Sequence, residues 1–333
     1  MTEHKKIDRK GAKPAKSGSL FERANSAFGL DALSPAIKPS DLPEVEKRAP
    51  KPAKRTVQQQ VTEQKASEVA QQRTEADRTP EPATPAPKPS VALGGEVCVI
   101  DRGVLRSNGL IVPEDSVTGT LEEFRIVKRE LLADARAGGE KARRIIVCSP
   151  HPGEGKTYCS VNLAIALAAE QDIEVLLVDA DVLKPSVPER LGFSADRGLI
   201  DALENSDIAP EKLVVETDID RLFVLPAGKK TARGAELLAS ARTGEVLDRL
   251  TQGTSHRIVV FDTPPALAAS AAPELAAHVG QALLVARADE TSKAALEDAH
   301  QLLSACDDIK LLLNGAQFSP SGRQFGGYGE RED

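Results

Sequence analysis

From about Val97 onward, short apolar runs alternate with amphipathic stretches, and before that point no such rhythm is sustained. The runs predict strands at Arg144 to Cys148, Val175 to Asp179, Arg221 to Leu225, Ile258 to Asp262, Ala282 to Ala286 and Lys310 to Leu313. Most are near-continuous in Val, Ile and Leu, as strands covered on both faces must be. Between them, apolar residues at helical spacing predict helices at Leu121 to Ala135, Lys156 to Ala169, Ala235 to Ala241, Gly244 to Thr251, Pro273 to Ala277 and Ser292 to Ser304, the last capped by Thr291. Strand and helix in alternation give an α/β fold: a mostly parallel sheet with helices on both faces.

The start of the chain has a different character. Its first 90 residues hold eleven of the 22 prolines and, among aromatics, only Phe21 and Phe28, so they cannot close a core. Residues 1–95 are therefore expected to form a disordered Pro-, Lys- and Gln-rich arm, residues 96–318 the folded domain and residues 319–333 a flexible, Gly-rich tail. In SLFERANSAFGL, Leu20, Ala24, Ala27 and Phe28 follow helical spacing between a capping Ser19 and a terminating Gly29. This predicts a short amphipathic helix near 19–29 that either docks on a partner surface or forms only transiently.

Charge divides the same way, with 17 Lys and Arg against 12 Asp and Glu in residues 1–90 and 26 against 38 in the remainder. An acidic folded part with no Trp and 3% aromatics argues against nucleic acid as a partner. No apolar run approaches the roughly 20 residues that cross a bilayer. The start MTEHKKIDRK has no apolar segment behind its charges, so the chain is expected neither to be secreted nor to span a membrane itself. Cys98, Cys148, Cys159 and Cys306 lie far apart without metal-ligand spacing, which suits a reducing cytoplasm.

The candidate chemistry begins at IIVCSPHPGEGKT, an apolar strand, a Gly-rich loop and a helix starting near Lys156. Gly153 and Gly155 allow backbone N–H groups, including that of Glu154, to turn inward around a polyphosphate at the positive end of the helix. Lys156 supplies a point charge, and the Thr157 hydroxyl can ligate Mg2+. The strict GxxxxGK[ST] pattern has Gly where this chain has Pro150, so the loop is of the loosened form. Further on, VLLVDADVLKP ends a strand with Asp179 and Asp181, and IVVFDTPP ends another with Asp262. In a parallel sheet such strand ends face one crevice. There, one carboxylate can hold the water shell of a metal while another orients an attacking hydroxyl.

The series SPHPGEGKT, VLLVDADVLKPS and VVFDTPP resembles the Walker A, A' and B boxes of bacterial tyrosine kinases, P-loop proteins related to the ParA and MinD ATPases. More narrowly, DADVLKPSV, GLIDAL, LPAG, ELLAS and AHVGQALLV are similar to the exosortase-associated tyrosine autokinases. The resemblance implies ATP and Mg2+ as cofactors, phosphate contact by Gly153 to Lys156, and metal ligation by Thr157, Asp181 and Asp262. It also implies catalytic roles for Lys156, Asp179 and Asp181, with Asp179 aiding the attacking hydroxyl. Asn314 sits either where such folds contact the nucleotide base or simply at a strand-end turn. In EEFRIVK, Glu122, Arg125 and Lys128 match the family's oligomerisation box, three apart on one helical face, and imply a homo-oligomeric ring. Protein tyrosine substrates, a transmembrane activator resembling a chain-length determinant, and a cytoplasmic place beside the inner membrane are the partners and location implied.

Departures from the family pattern bear on activity. Leu183 stands where the family has Arg, with Lys184 next to it, and lysine cannot reproduce a bidentate guanidinium contact. The family's terminal tyrosine cluster is reduced to Tyr328, in FGGYGE; the only other tyrosine, Tyr158, follows the loop. Tyr328 is a candidate phosphoacceptor or a residue with no role. His151 stands where partition ATPases carry a lysine. Three functions follow: a tyrosine autokinase controlling exopolysaccharide synthesis or export, an ATP-driven assembly switch without kinase activity, and a partition-type ATPase disfavoured by His151.

Overall fold

The structure, a computed structural model, describes residues 90–316; the expected helix near 19–29, the tail 319–333 and Tyr328 lie outside the described residues. Eight strands form one sheet in the order β1-β4-β5-β3-β6-β2-β7-β8. They are β1 (Val97–Cys98), β2 (Arg144–Cys148), β3 (Glu174–Asp179), β4 (Val215–Thr217), β5 (Leu222–Leu225), β6 (Arg257–Asp262), β7 (Gln281–Arg287) and β8 (Asp308–Asn314). All neighbours run parallel except β4 and β5. The expected doubly covered α/β architecture is borne out.

Alternation within each strand feeds two cores. Ile145, Val147, Val175, Leu177 and Val260 face one layer, which holds α1 (Arg102–Ser107), α2 (Gly119–Ala137) and α3 (Lys156–Ala168). Ile146, Leu176, Val178, Val259 and Phe261 face the other. That second layer holds α5 (Leu199–Glu204), α6 (Gly234–Leu238), α7 (Ala241–Thr251) and α8 (Ala271–Ala276), while α4 (Val187–Leu191) follows β3 and α9 (Lys293–Leu302) precedes β8. α3 is buried almost all round.

The central strands β2 and β6 each begin with a buried arginine. Arg257, 2% exposed, pairs with Glu174 and donates to Leu250 O at 2.6 Å and Val91 O at 2.8 Å. Arg144 donates to Asp248 Oδ1 at 2.7 Å and Thr251 Oγ1 at 2.6 Å. Each charge is buried with acceptors around it, as burial requires. One expectation is corrected. The cap of α9 is Ser292, whose Oγ accepts from Ala295 N at 3.2 Å, because Thr291 is engaged elsewhere. β1, β4, α1, α4 and α5, two to six residues long, are additional to the elements expected from hydropathy. Among the described residues no helix is long and apolar enough to cross a membrane.

Candidate active site

The carboxyl ends of β2, β3 and β6 stand side by side, with Asp179 in register with Asp262. The segment from Ser149 to Gly155 joins β2 to α3 and passes over these ends. Its shape depends on two positive φ values, 86° at Gly153 and 98° at Gly155. At Gly155 a side chain is excluded for a second reason: a Cβ would lie 2.0 Å from Asn314 Nδ2.

Asn314, at the end of β8, donates from Nδ2 to Glu154 O at 2.9 Å and so braces the loop from outside. The Glu154 side chain, buried, does the same from beneath. Its Oε2 accepts from His151 N at 2.7 Å and its Oε1 accepts from the Thr291 hydroxyl. Thr291 Oγ1 in turn accepts from Arg287 N at 2.8 Å. Thus the loop after β7 is tied to the phosphate loop through one buried carboxylate. A signal for this exists in the sequence: an acid inside a Gly-rich loop whose pattern suits an anion is electrostatically out of place unless its charge is turned away.

Lys156 opens α3 and donates from Nζ to Asp181 Oδ2 at 2.6 Å. Burial alone weakens its hold on a proton, but the carboxylates of Asp262, Asp181 and Asp179 more than reverse this, and it stays charged. Thr157 Oγ1 donates to Asp262 Oδ2 at 2.7 Å and Ser160 Oγ to Asp262 Oδ1 at 2.9 Å. Ser160 was not singled out in the sequence, although it lies one helical turn after Thr157. Burial pushes the Asp262 carboxyl up from its ordinary value, while Lys156 and the two hydroxyls pull it down.

Asp179 is placed otherwise than its expected role requires. It is fully buried and does not line the cavity. Oδ1 accepts from Asp181 N at 3.2 Å, and Oδ2 accepts from Ser186 N and Val187 N, both at 3.0 Å. Burial, with Asp262 nearby, raises it to about 7. Asp179 therefore shapes the loop that presents Asp181, and Asp181, just after β3, is the acid that faces the open space.

That space is a cavity of about 800 Å3, bordered by Gly153, Gly155, Lys156, Thr157, Asp181 and, on the far side, α1 and α4. Leu183 projects into it, 58% exposed. Tyr158 packs edge-on against Phe124 with ring centroids 6.4 Å apart. Cys148 and Cys159 flank the loop, but burial pushes their thiols up to about 11 and about 12, so neither supplies a thiolate.

Glu122, Arg125 and Lys128 do not form one free face. Arg125 pairs with Glu122 on its own helix. Lys128, by contrast, reaches across to α3, donating to Ala166 O at 2.8 Å and pairing with Glu170 at 2.7 Å. The expectation that all three await a neighbouring subunit is corrected for Lys128, which holds α2 against the end of α3.

The AAA_31 family profile, an AAA domain, matches residues 142–316, more than half the chain. The chain belongs to this AAA family. Among relatives of this AAA protein, the tyrosine-protein kinase YwqD of Bacillus subtilis (strain 168) is 27% identical over 235 residues, covering 70% of this chain and 96% of that one. The putative tyrosine-protein kinase EpsB of Ralstonia solanacearum is 31% identical over 221 residues, covering 66% of this chain but 28% of EpsB. The AAA chain thus matches nearly all of the Bacillus relative and about a quarter of the Ralstonia one. Among solved structures, the kinase domain of the Escherichia coli tyrosine kinase ETK superposes with a TM-score of 0.53 at 25% identity, covering 65% of this chain and 82% of that domain. The resemblance to bacterial tyrosine kinases read from the three boxes is borne out.

Proposed function

We propose that this protein is an ATP-dependent protein-tyrosine kinase acting in exopolysaccharide synthesis. The observation that carries the reading is the convergence of Lys156, Thr157 and Asp181 on one cavity at the strand ends, in an AAA-family chain whose relatives are tyrosine kinases. The phosphate loop, with N–H groups at the start of α3, suits the triphosphate of ATP. Lys156 turns from Asp181 to the outer phosphate oxygens.

For Mg2+ the donors present fit: the Thr157 hydroxyl directly, with Asp181 and Asp262 holding its waters. Among the described residues no group of three or more His, Cys, Asp or Glu is arranged to hold a metal alone. That agrees with a cation bound chiefly through phosphate oxygens and water. Such an ion, when bound, neutralises charge on the β- and γ-phosphates. A tyrosine hydroxyl attacks the γ-phosphorus, the bond to the β–γ bridging oxygen breaks, ADP departs, and Asp181 Oδ2 takes the phenolic proton. Glu154 and Asn314 keep the loop in shape throughout.

Autophosphorylation at Tyr328, assembly through Glu122 and Arg125, and attachment to an inner-membrane partner from a cytoplasmic position belong to the same reading. The full chain incubated with γ-labelled ATP and Mg2+ tests it. Labelled tyrosine in the unaltered chain, absent in Lys156→Ala and reduced in Tyr328→Phe, supports the kinase. ATP turnover without labelled protein overturns it in favour of a nucleotide-driven assembly switch. Leu183 is the observation that favours that second reading, because an exposed leucine lines the cavity where the resemblance leads one to expect an arginine.

A further inference from the structure

The cavity is larger in reach than the phosphate loop, and its outer wall has a chemistry of its own. Beyond Asp181 it is bordered by Leu183, Lys184, Glu189 and Arg190, which follow β3, and by Val104 of α1 and Asn108, which caps that helix. Leu183, Lys184 and Arg190 are exposed and Val104 is half-buried. Arg190 donates to Asn108 Oδ1 at 3.1 Å, which turns its guanidinium along this wall. Among the described residues neither Lys184 nor Arg190 forms an ion pair, whereas Lys156 is already neutralised by Asp181. The wall therefore presents an apolar strip, Leu183 and Val104, beside two cations opposed by one carboxylate, Glu189.

We propose that this wall is the acceptor subsite and that it selects tyrosines followed by acidic residues, the phenol ring lying on Leu183 and Val104 and the acids meeting Lys184 and Arg190. The sequence contains such a segment. Tyr328 is followed by Gly329, Glu330, Arg331, Glu332 and Asp333, three acids against one base. An aromatic ring on an exposed leucine and carboxylates near unpaired cations are each complementary to what the wall offers. On this account Leu183 is the ring's contact surface and not only a missing arginine. The inference rests on the phosphotransfer reading above and adds the class of acceptor.

The test uses the full chain saturated with Mg2+ and a non-hydrolysable ATP analogue, and two fluorescent peptides. One has the sequence of residues 325–333; in the other Glu330 and Glu332 are Gln and Asp333 is Asn. At low salt the acidic peptide should bind about tenfold more tightly, as expected for two partly exposed charge pairs. The gap should close in the Lys184→Gln, Arg190→Gln double variant and widen in Glu189→Gln, with calorimetric affinity for the analogue unchanged in both. Equal binding of the two peptides, or a gap that survives the double variant, overturns the inference and leaves the kinase reading standing. No uptake of the analogue by the unaltered chain overturns both.

Discussion

Lys156 Nζ lies 2.6 Å from Asp181 Oδ2, so the cation that opens α3 is neutralised by an acid lining the same cavity. Nucleotide and carboxylate compete for one ammonium group. In Asp181→Asn this competition ends. Binding of ATP in EDTA should tighten about tenfold, since the buried pair no longer has to be separated. With Mg2+ present, phosphate transfer should fall by about 100-fold, the scale of a lost acid–base group. Calorimetry with and without chelator reads the first effect and labelled transfer the second. Unchanged affinity in EDTA would mean that the pair does not oppose binding.

The Glu154 side chain braces the phosphate loop without facing its ligand. Replacing it with Ala leaves His151 N without its acceptor, at a cost of about 1–3 kcal/mol. Thr291→Val removes only the outer tie. Both variants should keep the sheet, as judged by circular dichroism, yet bind ATP more weakly, Glu154→Ala the more so. An ATP affinity equal to that of the unaltered chain would show that the loop holds its shape unaided.

Lys128 and Arg125 should respond differently although they share a helix. Lys128→Ala breaks the attachment of α2 to Ala166 and Glu170 and should lower the melting temperature by several degrees, equivalent to about 1–2 kcal/mol. Arg125→Ala removes a partly exposed pair within one helix and should alter stability by less than about 0.5 kcal/mol. Light scattering on both, at matched temperature below either melt, then asks which one alters association. Association should change with Arg125→Ala; an effect confined to Lys128→Ala would contradict the division drawn from the structure.

Glu211 and Arg249 give a pH signature remote from the site. Arg249 Nη2 approaches Glu211 Oε1 at 2.6 Å, and this guanidinium holds the carboxyl below its ordinary value of 4.5. A lowered folded value means that the pair stabilises the fold above the unfolded pKa and that this contribution is lost as pH falls through the folded one. Stability of the unaltered chain should exceed that of Glu211→Gln at pH 7 by under about 1 kcal/mol, because Arg249 is half-exposed. The difference should shrink below about pH 4.5. Denaturant titrations across pH 3 to 7 measure it, and a difference independent of pH would remove the charge from the explanation.

Hydropathy alone revealed the strands that lie inside the sheet, because β2, β3, β6 and β7 are covered on both sides. It could not reveal Val215–Thr217 or Val97–Cys98, which are too short to show a period. Nor could it place Arg257, buried, at the head of β6: the burial of that charge depends on Glu174 and Val91, which are remote in sequence, and on Leu250 in the preceding helix. The same division holds at the site. Lys156, Thr157, Asp181 and Asp262 were legible because strand ends and a Gly-rich loop have fixed spatial consequences. The pairing of Lys156 with Asp181, the ties of Glu154 and the commitment of Lys128 to α3 are contacts between elements, and periodicity along one element carries no information about them.

Arg257 grips Val91 at the amino ends of the strands, whereas Asn314 ends β8 against Glu154 at their carboxyl ends. The chain thus comes in through the floor of the sheet and goes out through its roof, beside the chemistry. The described chain is therefore pinned at both poles of the sheet, by a guanidinium at Val91 and by a carboxamide bound to the loop beside the cavity at Asn314.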